Sequence, residues 1–518
     1  MSIKRNCKKP EWIAASSALV SGVIAHGFAL VNVIHNYDNI LQQPKGYGAG
    51  ITYGRWLLEA LGDFNDAFVE LNFNLPTMNG LGFLLLIALS TALMVNYLEI
   101  RNPVSAVLAG CLMATFPTVC GTMVFRYTAP YYGLSLFLSV LAAWVLHKGK
   151  FGLPLSALCL TLSMGIYQAY APFTISLYVL ALMRDALKED AKLIALIRRG
   201  LLDCASLLLG LGLYFACLKI AQLGYSGGGQ MSIDSYQGLD TMGQISLAAL
   251  PGVLKRAWTT AAFFPLNDYC SLAPVKLLKM FWLLLIFGML LQVLYIMLRK
   301  RTKPLLIAFF GLMGLLFPLA VNFIAVMVPE GIVYTIMVYA FVLVGCAPLV
   351  FLECMPEEPA EKNRLCSRIL GLLIAGIVLY NGYYANVNYT SLYFSNRQVE
   401  NFVSSLMLQA RMTEGYTAEK EWVFVGDVDR FAMWDVWYET PYYGGIVGST
   451  APGLFNTKYS RDFWFACYLG YTPLSASPEE QAAMIRNPLV EQMPAWPAEG
   501  CLQIIDDYVV VKFQESVS

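Results

Sequence analysis

The chain has 518 residues, of which 57% are hydrophobic and 14% are charged, and its formal net charge is +0. Soluble domains carry roughly 25% charged residues, so this composition excludes an ordinary soluble protein and predicts a polytopic membrane protein in a lipid bilayer. Nucleic-acid binding requires a clustered excess of Lys and Arg. Because the chain has equal numbers of basic and acidic residues, no nucleic-acid partner is expected.

Apolar runs follow one another from the N-terminus into the last third of the sequence. A transmembrane helix needs about 20 mostly apolar residues to cross about 30 Å of hydrocarbon, and on that basis we predict about eleven spans. The first run follows a basic segment and lacks a clear small-residue cleavage site, which predicts a retained span. The predicted spans are residues 12–34, 77–98, 104–125, 131–147, 151–166, 169–183, 200–222, 278–298, 304–328, 331–353 and 369–385.

Basic residues collect in alternate loops between these runs. Because cytoplasmic loops carry the excess of Lys and Arg, we predict a cytoplasmic N-terminus and, with an odd number of spans, a C-terminal segment outside. The protein is then expected in the bacterial inner (cytoplasmic) membrane, with long outer loops at residues 35–76 and 223–277. The basic clusters are residues 4–9, 101, 147–150, 184–199, 299–303 and 362–368.

The composition becomes that of a mixed soluble sequence near residue 386, so we predict a transmembrane domain over 1–385 and a small extracytoplasmic α/β domain over 386–518. Strand-like runs occur at 421–425 and 508–513. The domain's aromatic residues either stack on sugar faces or form its core. These aromatic residues are Trp434, Trp437, Tyr438, Tyr442 and Tyr443.

The cysteines and histidines do not indicate a metal site. The chain has 12 Cys and 3 His, without CxxC pairs or His/Cys ligand spacing. Cys467 and Cys501 lie in the C-terminal part, where a disulfide is one alternative if that part is exported.

Residues 55–71 have the pattern of an amphipathic helix. One face carries Leu57, Leu61, Phe64, Phe68 and Leu71, and the opposite face carries Glu59, Asp63, Asp66 and Glu70. We predict an interfacial helix whose acidic face is solvated. The alternative is an acidic surface that binds a cation or lines a reaction cleft.

Asp38 and Arg55 are the candidate chemical groups on the predicted outer side. Asp38 follows the end of the first span, so it either marks a helix end or serves as a base beside a partly apolar cavity. Arg55 either snorkels as a structural cation or holds a phosphate by bidentate hydrogen bonds. Other polar and aromatic groups converge on this side, although each alone is typical of a loop end or an aromatic belt. These candidate substrate-binding residues are Tyr37, Asn39, Trp56, Arg126, Tyr127, Gln168, Tyr170 and Glu330.

Several of these segments carry a family likeness. The sequence resembles the Gtr-type membrane glucosyltransferases, which include enzymes that glucosylate bacterial O-antigen. The likeness extends over nearly the whole chain, although none of its motifs is specific by itself. The segments that carry it are Asp38-Asn39, Gly54-Arg55-Trp56, Ile166 to Tyr170, Met493 to Gly500 and Val509 to Lys512.

The resemblance implies a C-type glycosyltransferase fold and transfer of a sugar, with glucose favoured, from a polyprenyl-phosphate carrier to an envelope polysaccharide or related glycopolymer outside the cell. It implies that Asp38 is the general base for the acceptor hydroxyl and that Arg55 holds the lipid phosphate. Asn39 stands where the family pattern has a second acid. A single displacement with one base is therefore the simplest expectation, and whether a divalent cation takes part stays open.

Two other function classes fit a polytopic membrane protein. A transporter or flippase of lipid-linked sugars predicts paired broken helices and charged residues inside spans, and the spans here are almost free of charge. A non-catalytic scaffold would use its outer domain to bind partners, and Asp38 would then be replaceable.

Overall fold

The computed structural model describes residues 9–36, 50–68, 75–225, 246–329, 331–356, 360–428 and 451–514. They divide into two compact units. The described residues of the first unit are 9–32 and those between 50 and 386, and those of the second are 33–36, 387–428 and 451–514.

The first unit is helical. Several of its helices begin with Pro in the first turn, where the missing N–H has no intrahelical acceptor in any case and the fixed φ suits the helix. Its helices are α1 Pro10–Val31, α2 Trp56–Phe68, α3 Pro76–Tyr97, α4 Pro103–Thr115, α5 Pro117–Met123, α6 Ala129–Leu146, α7 Gly152–Ile166, α8 Ala171–Ala186, α9 Leu193–Tyr225, α10 Leu250–Ala262, α11 Phe264–Asn267, α12 Lys276–Arg299, α13 Pro304–Val321, α14 Ile324–Met327, α15 Val342–Leu352 and the first part of α16 Ala360–Met412.

Within the described residues, 7 helices are long and apolar enough to cross a membrane, or 8 if α4 and α5, bent by 41°, form one span. This confirms a multi-pass helical membrane protein, while the number of about eleven spans stays a prediction. The qualifying helices are α1, α3, α6, α9, α12, α13 and the part of α16 from Arg364.

The segment before α15 differs from the continuous span predicted at 331–353. Helix α15 begins only at Val342, and short 3-10 turns occupy Thr335–Met337 and Tyr339–Phe341. The irregular backbone is stable here because protein groups satisfy it: Thr118 Oγ1 donates to the Thr335 carbonyl at 2.7 Å. Non-helical backbone is tolerated at membrane depth only where such partners exist.

Small residues allow the first helices to pack closely. Helix α1 contacts α3 and α4, and a Cβ added at Gly110 of α4 would collide with the backbone of α1 at Ala14 and Ala18. Ser17 Oγ also donates to the Val107 carbonyl at 3.2 Å. This is the small-residue packing by which helices associate in lipid, where apolar burial alone gives no advantage.

The second unit contains a three-stranded sheet in the order β1-β3-β2, formed by β1 Glu421–Val425, β2 Leu502–Ile505 and β3 Tyr508–Lys512. β1 pairs with β3 in parallel and β2 pairs with β3 antiparallel, so the small C-terminal sheet is confirmed and β2 is a strand that the sequence patterns did not indicate. Short helices cover the sheet: α17 Ala451–Asn456, α18 Lys458–Leu469, α19 Pro478–Ile485 and α20 Pro488–Gln492.

Two segments of the family likeness meet in this unit. The buried Lys512 ammonium donates to the carbonyls of Val490, Glu491 and Met493 at 3.1, 2.8 and 2.8 Å, and so satisfies the end of α20. The Trp496 N–H donates to the Lys512 carbonyl at 2.8 Å. Cys467 is exposed and Cys501 is buried, and both are free thiols, so the structure contains no bridge between them.

Candidate functional site

The turn before α2 presents Arg55 and is held by two other helical elements. A 3-10 turn over Ile51–Tyr53 ends at Gly54, which is left-handed with φ of 72°. Tyr214 Oη of α9 donates to the Gly54 carbonyl at 2.9 Å, and Gln168 Nε2 donates to the Tyr53 carbonyl at 2.8 Å. Gln168 Nε2 also lies 3.0 Å from Tyr214 Oη. We call these two side chains, Gln168 and Tyr214, the turn clamp.

Only glycine fits at position 54. A Cβ there would lie 2.5 Å from Tyr214 Oη and 2.7 Å from Gln168 Nε2, both polar atoms of the turn clamp. Side chains with a Cβ also resist the left-handed conformation, at a cost of roughly 1–2 kcal/mol. The absence of a side chain at Gly54 therefore allows the turn clamp to reach the backbone that precedes Arg55.

The Arg55 guanidinium lies against aromatic rings of the helical unit. Its Nη1 donates to Tyr132 Oη at 3.3 Å, and its Cζ lies 4.9 Å from the centroid of the Tyr167 ring. The Tyr132 and Tyr167 rings are stacked with centroids 4.3 Å apart. A planar guanidinium supported in this way gains cation–π stabilisation and is pre-oriented to bind an oxyanion.

Trp56 anchors the start of α2 against α7. A Cβ at Gly165 would lie 2.7 Å from Trp56 Cε2, so glycine is what permits the indole to approach this closely. Trp56 packs on an apolar cluster that includes Ile51, Met164 and Leu218. Arg55 is thus held on both sides, by the turn clamp before it and by the Trp56 contact after it.

The break between α7 and α8 supplies the residues that reach this turn. Residues Gln168–Tyr170 form a single 3-10 turn, and hydroxyls of α6 satisfy the carbonyls released there. Ser139 Oγ donates to the Tyr170 carbonyl at 2.8 Å, and Ser135 Oγ donates to the Tyr167 carbonyl at 3.3 Å. The Tyr170 ring makes an edge contact with Tyr167 at 5.6 Å between centroids, which connects it to the rings beneath Arg55.

Arg126 is 0% exposed and lies in the turn that leads into α6. Its Nη1 donates to the Asn32 carbonyl at 3.2 Å, and Asn79 Nδ2 donates to the Arg126 carbonyl at 3.4 Å. The adjacent Tyr127 is buried as well. Burying a cation costs several kcal/mol of desolvation unless other groups compensate it, so Arg126 depends on such contacts. It lies just before the end of α6 that carries Tyr132.

The structure thus unites part of the predicted site. Arg55, Trp56, Gln168 and Tyr170 belong to one connected set of contacts, while Arg126 and Tyr127 lie at the adjoining end of α6. The remaining predicted positions lie outside the described residues. They are Tyr37, Asp38, Asn39 and Glu330, together with the aromatic residues at 434, 437, 438, 442 and 443.

The prediction of a solvated acidic face on α2 is wrong for its described part. Glu59 is only 8% exposed and Asp63 is half-buried, whereas Phe64 and Phe68 are 56% and 75% exposed. The polar face of α2 turns toward the protein because its side chains form hydrogen bonds there. For example, Tyr225 Oη donates to Asp63 Oδ2 at 2.5 Å. An outward apolar face carries no penalty if its surroundings are hydrocarbon.

Two residues of the site were not predicted from the sequence, Tyr214 and Tyr132. A phenol inside an apolar span is one available signal, since a buried Tyr hydroxyl usually has a hydrogen-bond partner. Another is the spacing of Tyr132, Ser135 and Ser139, which places three hydroxyls along one side of α6. In the part of the chain that the structure describes, no group of three or more His, Cys, Asp or Glu side chains is arranged to hold a metal ion.

Fold and site together define a multi-pass helical membrane protein in which Arg55 and a group of aromatic side chains are in contact. The family model described as Glucosyl transferase GtrII matches residues 27–345, more than half of the chain. The chain belongs to this family, so the resemblance seen in the sequence is confirmed over these residues, and the likeness proposed beyond residue 345 stays a prediction. The protein is a membrane glucosyltransferase. Comparison with curated proteins and with solved structures gives no match.

Proposed function

We propose that the protein transfers a glucosyl group from a polyprenyl-phosphate carrier to an envelope polysaccharide or related glycopolymer on the extracytoplasmic face of the bacterial inner membrane. The observation that carries this proposal is the presentation of Arg55: its guanidinium is supported by Tyr132 and Tyr167, and its backbone is held by the turn clamp. A polyprenyl carrier remains in the bilayer, so a cation at the start of an outer helix suits its phosphate.

The proposed reaction is a single displacement at the anomeric carbon. The acceptor hydroxyl attacks that carbon and loses its proton to the Asp38 carboxylate, while the bond to the phosphate oxygen breaks and polyprenyl phosphate leaves. Arg55 stabilises the negative charge that develops on the phosphate, as charge-assisted hydrogen bonds do at a leaving group. General-base assistance is typically worth about 10²- to 10⁴-fold in rate.

The membrane arrangement belongs to the same proposal. We count about eleven spans, at about 20 apolar residues per span. With the basic loops in the cytoplasm, this odd number puts the N-terminus in the cytoplasm and residues 386–518 outside. Arg55, Arg126 and the break at Gln168 then share the extracytoplasmic side with Asp38 and Glu330. The C-terminal domain would meet the acceptor, which is water-soluble.

The donor class is tested by reconstituting the full chain in proteoliposomes with a soluble glycan acceptor. Glucose labelled on polyprenyl phosphate should appear in the glycan, and nucleotide-linked glucose should give no transfer. The opposite donor preference would overturn the proposed function. Transfer only to an acceptor enclosed on the cytoplasmic side would overturn the proposed orientation.

A further inference from the structure

We propose that a groove between α4, the segment after α15 and the first part of α16 binds an anionic glycerophospholipid. The groove has a volume of about 800 Å³ and is separate from the residues around Arg55. Arg364 and Arg368 line the groove, and most of the other lining residues are apolar. This inference goes beyond the proposed glucosyl transfer and does not depend on it.

The two arginines supply positive charge to the groove. They lie one turn apart on α16, both are exposed, and neither forms an ion pair with another described residue. Arginine binds phosphate through a planar fork of donors, which makes a pair of arginines one turn apart a suitable headgroup site.

The acid in the groove is already engaged. Glu353 Oε1 accepts hydrogen bonds from the backbone N–H groups of Arg101 and Asn102, at 2.9 and 2.8 Å. These donors lie just before α4, where the positive end of the helix dipole also stabilises a carboxylate. The charge of Glu353 is therefore directed at α4, and within the described part of the chain it forms no ion pair with Arg364 or Arg368.

A neighbouring cavity of about 390 Å³ shows the contrasting arrangement. There Arg184 and Lys188 each pair with Glu99 at 3.1 Å, and Lys188 also lies 2.8 Å from Asp185. Those charges compensate one another and tie the helix ends together. The groove differs because its cations have no such described partners.

The apolar walls fit acyl chains attached to a headgroup at the arginines. Leu108, Gly371 and Leu372 line the groove, and a Cβ at Gly371 would lie in van der Waals contact with Leu108 Cδ1, at 3.4 Å. At 1.5 Å rise per residue, the distance from Arg364 to Leu372 along α16 is about 12 Å, the scale of a headgroup with its first acyl carbons. Both arginines belong to the basic clusters predicted to be cytoplasmic, where anionic lipid is attracted to such residues.

The test is retention of lipid by the purified full-length protein, measured by native mass spectrometry after exchange into mixed micelles of phosphatidylglycerol and phosphatidylcholine. Wild-type protein should retain phosphatidylglycerol preferentially. The double variant R364Q/R368Q should retain at least about fivefold less phosphatidylglycerol than wild type. The matched control is K192Q/R198Q, which removes two cations at the start of α9 and should leave retention unchanged.

A second variant tests the acyl-chain part of the groove. G371L leaves both arginines in place and fills the space beside Leu108, so it should also reduce retention. Unchanged retention in G371L would overturn the groove as the seat of the lipid. Unchanged retention in the arginine variant, or equal retention of both lipids by wild type, would overturn the charge-based assignment.

Discussion

Gln168 Nε2 donates a hydrogen bond of 2.8 Å to the carbonyl oxygen of Tyr53, across 115 positions of sequence. This bond joins the break between α7 and α8 to the turn that presents Arg55. Gln168 and Tyr214 together form the turn clamp, which fixes the backbone at Tyr53 and Gly54, two residues and one residue before the proposed phosphate-binding cation. The geometry of the site is therefore set by residues that need not contact the substrate.

Removing either hydrogen-bonding group of the turn clamp should slow transfer without unfolding the protein. In Gln168→Leu the Tyr53 carbonyl loses its donor, and in Tyr214→Phe the Gly54 carbonyl loses its donor. Leaving a buried polar group without a hydrogen bond costs about 1–3 kcal/mol. We expect about a 10-fold or greater fall in kcat/KM in proteoliposomes. Tyr295→Phe, which removes a hydroxyl of α12 that has no hydrogen-bond partner among the described residues, is the matched control. An equal loss of activity in this variant would mean that the turn clamp has no specific role.

Gly54→Ala should destabilise the turn. The added methyl group would meet the turn clamp at 2.5 and 2.7 Å, and the left-handed φ of 72° adds strain. We expect a loss of at least about 1–2 kcal/mol locally, seen as faster hydrogen exchange at the start of α2 and a reduced transfer rate.

The control for this substitution is Gly82→Ala in α3, where a Cβ meets nothing within 4 Å. Alanine is favoured over glycine in a helix by about 1 kcal/mol, so this variant should be neutral or slightly stabilising. Similar behaviour of the two variants would contradict the steric account of Gly54.

Replacement of Arg55 should weaken use of the lipid-linked donor. A charge-assisted hydrogen bond is worth about 1.5–3 kcal/mol, so Arg55→Gln is expected to lower kcat/KM for the donor by about 10- to 100-fold. Arg55→Lys should restore little, because an ammonium cannot reproduce the planar contact with Tyr167 or bidentate binding. Arg256→Gln, which removes another arginine of the same unit, serves as control, and full rescue by lysine would show that only the charge matters.

The start of α19 should respond to acid through its capping box. Glu480 Oε2 accepts from the Ser477 N–H at 2.8 Å, and Ser477 Oγ accepts from the Glu480 N–H at 3.3 Å. Hydrogen bonds from Ser477 lower the pKa of Glu480 below its usual value of 4.5. Because the folded pKa is the lower one, the stabilisation is complete above the unfolded pKa and is lost as pH falls through the folded pKa.

Hydrogen exchange of the full chain, corrected for intrinsic pH dependence, measures this effect. Protection of the first amides of α19 should fall as the pH drops through the region below about 4.5, and Glu480→Gln should remove most of that dependence. Glu479→Gln, which changes the neighbouring acid of the same turn, should keep it. An unchanged pH profile in Glu480→Gln would contradict the capping account.

Sequence patterns anticipated those features that depend on local chemistry. The break at Gln168–Tyr170 follows from polar residues ahead of Pro172, and the strands at 421–425 and 508–512 follow from runs of branched and aromatic residues. The orientation of α2 was not predictable in this way, because helical periodicity defines two faces but not which face meets protein. In water the acidic face is expected outside, whereas Phe64 and Phe68 are the outward residues here.

Sequence patterns also did not predict which residues far apart in the chain bind one another. Nothing near Tyr214 in sequence indicates that its hydroxyl binds the Gly54 carbonyl, which is 160 positions away. Likewise, the hydrophobicity of 331–353 predicts a span, but two of its backbone carbonyls accept hydrogen bonds from distant parts of the chain. Thr118 Oγ1 donates to the Thr335 carbonyl, and the Cys270 thiol donates to the Val333 carbonyl. Composition and periodicity do not encode such pairings, so the residues that set the geometry of Arg55 became evident only in the folded chain.

The most direct test of the central proposal is the transfer rate of Asp38→Asn in proteoliposomes supplied with glucose on polyprenyl phosphate. Loss of the general base should reduce kcat by about 10²- to 10⁴-fold, while insertion and hydrogen exchange of the helices stay as in wild type. Asp63→Asn, which makes the same change on α2, should have a much smaller effect. Near wild-type transfer by Asp38→Asn would contradict the proposed mechanism.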